Sequence, residues 1–214
     1  MAVGTYSGSN SNQTIETGVT NPKMVIIKRL DATYAWAVWH EALTDDYNIL
    51  LNTAAGQVDS DYFDTSENTS TLFHLLGNSN ATSIAGGSFV YMAFANSQFI
   101  SIGSYTNNNS TNGTYVPTIN SLGVPLQPRF VLTKTDASAN WMINDAKRIG
   151  YNVDNNSLYP NATTVESTAD IMDIVTGGFK LRTSSDPNYS TSTTIYMAIG
   201  TPILDTDGRI IAGR

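Results

Sequence analysis

The order of motifs in the first half of this chain returns in the second half. Gly4-Thr5-Tyr6-Ser7 reappears as Gly103-Ser104-Tyr105-Thr106, and Met24-Val25-Ile26-Ile27-Lys28 as Phe130-Val131-Leu132-Thr133-Lys134, each run opened by a proline two residues earlier. Trp36-Ala37-Val38 answers to Trp141-Met142-Ile143, and Asn52-Thr53-Ala54 to Asn161-Ala162-Thr163. Phe73-His74-Leu75 answers to Phe179-Lys180-Leu181, and Tyr91-Met92-Ala93 returns unchanged as Tyr196-Met197-Ala198. The paired landmarks keep one order at a spacing of about 105 residues. That period is far longer than the ~20–50 residues of a solenoid repeat, so it predicts a whole domain present twice. The expected domains are residues 1–102 and residues 103–214, the second ending in a short C-terminal arm.

Each half reads as strands. Lys23 to Leu30 and Arg129 to Thr133 are short, nearly continuous apolar runs, a pattern that suits strands buried on both faces or in a sandwich core. Trp36, Val38 and His40 alternate with Ala35, Ala37 and Trp39; Phe89, Tyr91 and Ala93 alternate with Val90, Met92 and Phe94. Gly86-Gly87, Gly177-Gly178 and Asp207-Gly208 mark turns. Only Ser167 to Val175 admits a helical reading, as a single turn. The chain has 214 residues, of which only 14% are charged. Ser, Thr and Asn fill the gap, and their side chains bond back to the backbone in turns. The expected fold is all-β: two tandem β-sandwich domains, jelly-roll-like, related by internal duplication.

The net charge of −7 argues against nucleic acid and against anionic membrane surfaces as partners, since both need clustered Lys and Arg. With no cysteine, disulfides and thiolate metal sites are excluded. The opening Met1-Ala2-Val3-Gly4-Thr5-Tyr6 shows no signal peptide, and no apolar run is long enough to span a bilayer. Synthesis in a cytoplasm without export is the expectation.

Candidate chemistry is sparse. His40 and His74 lie in strands of the first half and are replaced in the second, which favours a structural role. No G-x-S-x-G, H-E-x-x-H or phosphate-loop motif occurs. The acids sit mostly at turns and form no evident pair for glycoside hydrolysis. Asp59-Ser60-Asp61 and Asp205-Thr206-Asp207-Gly208 offer oxygen ligands for Ca²⁺, but the full calcium loop is missing and Asp-Gly is a routine turn pair. No catalytic, cofactor or metal site is assigned. Trp36 and Trp141 are expected in cores. Trp39 points opposite to Trp36 and has no aromatic counterpart in the second half, so it is the expected interface aromatic. Ile210 and Ile211 lie beyond the last paired landmark and are the expected docking strand.

The sequence G-x-Y-x-G, then P-x-x-V-I-x-K, W-x-V, a Phe strand and Y-x-A-F-A resembles a repeat found in virion and tail-fibre proteins of tailed bacteriophages. The resemblance covers Gly4 to Asn96 and Gly103 to Thr201. It implies a lectin-like sandwich and a phage particle as the setting, and brings no functional residues with it. On that basis the expected role is a virion structural protein, a capsid decoration or tail accessory protein without enzymatic activity. Its expected partners are other capsid or tail proteins and copies of itself. The alternative is a host-recognition module that binds a surface glycan.

Overall fold

A computed structural model describes residues 1–148 and 156–204, and it divides the chain into two compact units, Met1–Ala95 and a second that begins at Asn96. The first unit runs β1 (Ala2–Ser7), β2 (Gln13–Glu16), β3 (Met24–Arg29), β4 (Trp36–His40), β5 (Tyr47–Leu50), β6 (Val58–Asp59), β7 (Leu72–Leu75) and β8 (Ser88–Phe94). Six of these form one antiparallel sheet in the order β1-β8-β3-β4-β5-β6, and β2 pairs with β7 in a second layer. Apolar residues of both layers meet between them: Ile15, Phe73 and Leu75 from the small layer, Val25, Ile27, Ala37, Phe89 and Ala93 from the large one. This is a β-sandwich.

The second unit runs β9 (Ile100–Thr106), β10 (Tyr115–Pro117), β11 (Leu126–Thr135), β12 (Met142–Asp145), β13 (Ser157–Leu158), β14 (Met172–Val175), β15 (Gly178–Leu181) and β16 (Thr193–Pro202). Its large sheet has the order β13-β12-β11-β16-β9, and β10-β15-β14 forms the second layer. Val116, Met172, Phe179 and Leu181 pack there against Tyr105, Val131, Met142, Tyr196 and Ala198. Read from the other end, β9-β16-β11-β12-β13 repeats the order β1-β8-β3-β4-β5.

The paired sequence landmarks occupy equivalent ladder positions, and the reason is steric. Gly4 faces Tyr91 across β1 and β8, and Gly103 faces Tyr196 across β9 and β16. A Cβ on Gly4 would stand 2.5–2.7 Å from the Tyr91 ring, and one on Gly103 3.1–3.3 Å from the Tyr196 ring. The glycine makes room for a tyrosine that crosses the sandwich. Tyr91 Oη donates to the Glu16 carbonyl in β2 at 2.9 Å, and Tyr196 Oη to the Pro117 carbonyl in β10 at 3.3 Å. Each tyrosine thus ties the large sheet to the backbone of the small one. Phe73 pairs with Ile15 and Phe179 with Val116, each at the centre of its core.

Two expectations need correction. The units divide between Ala95 and Asn96 rather than at Gly103, because Ile100 to Ile102 already belong to the strand that carries Gly103. Ser167 to Val175 is not a helical turn. Met172–Val175 is strand β14, which turns at Thr176-Gly177 and pairs with β15. Gly177 has φ +80°, a conformation that glycine adopts without steric cost, and this lets the hairpin close. The first unit has only an isolated bridge, Phe63 with Leu75, where the second has β14.

Candidate functional site

The frame leaves one feature of the first unit without an equal in the second: the loop from β3 to β4. Seven residues, Arg29 to Ala35, separate Lys28 from Trp36, whereas six separate Lys134 from Trp141. In both units the lysine holds its loop by donating to two backbone carbonyls. Lys28 Nζ reaches Arg29 O at 2.8 Å and Tyr34 O at 3.0 Å; Lys134 Nζ reaches Thr135 O at 2.8 Å and Ala137 O at 2.9 Å. In both units an asparagine caps the tryptophan, with Asn52 Oδ1 accepting from Trp36 N at 2.9 Å and Asn161 Oδ1 from Trp141 N at 2.8 Å.

Around this shared clamp the side chains differ. Lys134 is 0% and Trp141 1% exposed. Lys28 and Trp36 are only partly buried and line a cleft of about 660 Å³ together with Arg29, Asp31, Tyr34 and Asn52. Its volume falls within the range of small-ligand sites. The Arg29 guanidinium grips Asp31 with two nitrogens, Nε to Oδ1 at 2.9 Å and Nη2 to Oδ2 at 3.1 Å. Asp31 Oδ1 also accepts the Ser88 N–H at 3.1 Å. The bond from Arg29 comes first and that from Ser88 second in holding the Asp31 carboxyl far below the usual carboxylate range. It is a fixed anion with neutralised charge, unsuited to giving up a proton near pH 7. The Arg29 guanidinium also lies over the Tyr34 ring, 5.2 Å from its centroid. Tyr34 separates the cleft from a second depression of about 380 Å³ lined by Asp61, Asn78 and Asn80.

The two tryptophans of β4 are both partly buried and lie on opposite faces of the sheet. Trp39, the expected interface aromatic, is partly buried. It packs on the first unit's core, 5.1 Å from Phe73, because Val25, its ladder partner, faces inward. Trp36, expected in the core, lines the cleft. Ile210 and Ile211 and the turn Asp205 to Gly208 lie outside the described residues. His40 is buried, and its Nδ1 accepts the Ala42 N–H at 3.0 Å. His74 Nδ1 lies 3.3 Å from Thr14 Oγ1 across the β2–β7 ladder. Asp59 Oδ1 accepts the Asp61 N–H at 3.3 Å. Among the described residues, no three or more His, Asp or Glu side chains are grouped to hold a metal ion.

A second surface feature belongs to the other unit. Phe99, Ile119, Leu122 and Leu204 are exposed there, Phe99 by 50% and Leu122 by 57%. Their segments adjoin. Gly200 N donates to Phe99 O at 3.0 Å, Asn120 Nδ2 to Gln98 O at 3.1 Å, and Ile203 N to Pro125 O at 3.0 Å. Sequence reasoning singled out neither this surface nor Asn52 as a ligand group. The available signal for the cleft was the extra loop residue and the Asp and Tyr that it carries.

No curated protein and no solved structure matches the chain. A family model, described as a domain of unknown function, matches residues 1–201 and therefore takes in both units together. The chain belongs to that family, DUF7483.

Proposed function

We propose that the protein is a structural component of a bacteriophage particle, held in place by protein–protein contact and without catalysis. On this reading the two units are copies of one module, and the particle is the setting that the repeat pattern resembles. The observation that carries the contact mode is the apolar surface of Phe99, Ile119, Leu122 and Leu204 on adjoining segments of the second unit. Large side chains exposed together mark interaction sites more often than singly exposed ones do. The partner is a capsid or tail protein with an apolar, aromatic face of its own. Charge is a poor alternative source of attachment. Only 14% of residues are charged, and exposed ion pairs contribute ~0–1 kcal/mol each.

The test is incorporation into particles. The double variant Phe99→Asp/Leu122→Asp should stay folded and monodisperse yet fail to join particles. Wild type should stay bound in about 1 M salt, where screening acts within ~3 Å. Normal incorporation of the double variant, or release of the wild type by moderate salt, would overturn the proposal.

A further inference from the structure

We infer that the cleft of the first unit, with the depression beyond Tyr34, is a binding site for a saccharide of two or more pyranose rings. The inference is independent of the assembly proposal. Four observations converge on it.

First, the walls include two aromatic side chains, Tyr34 and Trp36, the former 41% exposed. A flat apolar ring face is the complement of the C–H face of a pyranose. Second, the polar groups are presented in fixed positions. Lys28 staples the loop at Arg29 O and Tyr34 O, and Asp31 is held by Arg29 and Ser88. A carboxylate held in this way keeps lone pairs for hydroxyl donors. Preorganisation of this kind lowers the entropy lost on binding.

Third, Asn52 carries an unused donor. In the second unit Asn161 spends its Oδ1 on Trp141 N and its Nδ2 on Asn140 Oδ1 at 2.8 Å. In the first unit the residue before the tryptophan is Ala35, which has no acceptor side chain. Asn52 therefore caps Trp36 N with Oδ1 and leaves its Nδ2 donors for the cleft. An amide donor beside a carboxylate acceptor matches adjacent sugar hydroxyls, which both give and accept. Fourth, Tyr34 borders both depressions, and Arg29 Nη1 reaches over to Asn80 O at 3.3 Å in the second. The proposed ligand spans both depressions, passing over Tyr34, which borders each. Arg29 and Asp31 pair, the Lys28 ammonium is turned onto two backbone carbonyls, and the chain carries −7 overall, which disfavours a phosphate-rich ligand.

The experiment presents the full chain to immobilised oligosaccharides. These are built from glucose, galactose, mannose and rhamnose, with their N-acetylated and uronic forms. The best ligand is then titrated by calorimetry. One site per chain is expected, with a disaccharide bound more tightly than its monosaccharide. Tyr34→Ala and Asn52→Asp should each weaken binding at least about tenfold. Asn52→Asp keeps an oxygen to cap Trp36 and replaces the amide donor with a carboxylate oxygen, which also adds one negative charge to the cleft. Tyr34→Phe should retain affinity, and so should Tyr189→Ala, which alters an exposed tyrosine of the second unit. Tyr34→Ala removes a ring on an exposed loop that, among the described residues, only Arg29 stacks against, so it should melt within a few degrees of the wild type. The inference is overturned if no saccharide binds at millimolar concentration. It is equally overturned if the best ligand binds Tyr34→Ala and Asn52→Asp as tightly as the wild type, or if a peptide ligand occupies the site instead.

Discussion

The two units share a frame and differ in what they hang on it. Glycine opposite tyrosine, phenylalanine on the small layer, lysine clamping a loop and asparagine capping a tryptophan all recur at matching ladder positions. In the second unit the lysine and tryptophan are closed off from solvent, and the asparagine's second bond is made within the protein. In the first, the longer loop leaves the same groups at the wall of an open cleft. On such a frame a loop is free to differ, whereas the inward residues that define the sandwich cannot change without damaging it.

The sharpest way to break this comparison is to remove each tryptophan. Trp141 is 1% exposed, so Trp141→Ala leaves a cavity and should cost about 3–5 kcal/mol in chemical denaturation. Trp36, partly exposed at the cleft, should cost clearly less. Equal losses would mean that the cleft is as tightly packed as its counterpart, and the open–closed contrast would fall.

Lys134 gives the next largest effect. Burial pushes its ammonium down to about 8 from the usual 10.5, against the attraction of Asp186 and then Asp136. The unfolded chain holds that proton up to 10.5, while the folded chain releases it near 8. Between those values the unfolded state binds more protons, so stability rises with pH across the window. Below 8 both states are charged and the full cost of burying the ammonium is felt. The rise is on the order of 3 kcal/mol. Urea denaturation at intervals from pH 7 to 10 should show it in the wild type. Lys134→Met should flatten it, and an identical slope in both would refute the buried-charge account.

Much of the frame was legible in the sequence, because the groups that build it meet other groups of fixed chemistry. A glycine beneath a tyrosine and a phenylalanine between two sheets must recur wherever the frame recurs. The faces of β4 were legible only in part. Alternation puts Trp36 and Trp39 on opposite sides, but it does not say which side is core. Met24 to Ile27 are buried in unbroken succession, so β3, the neighbour of β4, gives no polar face to decide it. The second unit begins ahead of Gly103, since Ser101 and Ile102 precede it in β9 as Ala2 and Val3 precede Gly4 in β1, a continuation that the paired landmarks leave out. The role of Asn52 emerges only beside Asn161 and its partner Asn140, a contact between residues 21 apart that no motif records.

The smallest expected effect tests the comparison inside the core. Asn144 of β12 pairs with Ser157 of β13, and Asn144 Nδ2 donates to Ser157 Oγ at 2.7 Å. Val131 and Val25, the equivalent residues of β11 and β3, face Asn144 and Trp39 respectively, so Trp39 takes the place of Asn144. Continuing the register of β4 and β5 one step past Val38 and Ile49 sets Asn48 beside Trp39, in the place of Ser157. The tryptophan ring has one N–H donor and no acceptor, and it makes no hydrogen bond to Asn48. Asn48 is wholly buried, and both ends of its amide lack a hydrogen-bond partner among the described residues. A buried, unsatisfied polar group costs about 1–3 kcal/mol, and an apolar side chain of similar size does not carry that cost. Asn48→Leu should therefore stabilise the first unit by about 1 kcal/mol, the remainder being offset by imperfect repacking. Asn144→Leu in the second unit should destabilise, because it leaves the Ser157 hydroxyl without its donor. Thermal and urea denaturation of the two variants should move in opposite directions. Loss of stability in both would show that Asn48 is held by a contact equivalent to the one Asn144 makes, and that the cores of the two units are more alike than their sequences.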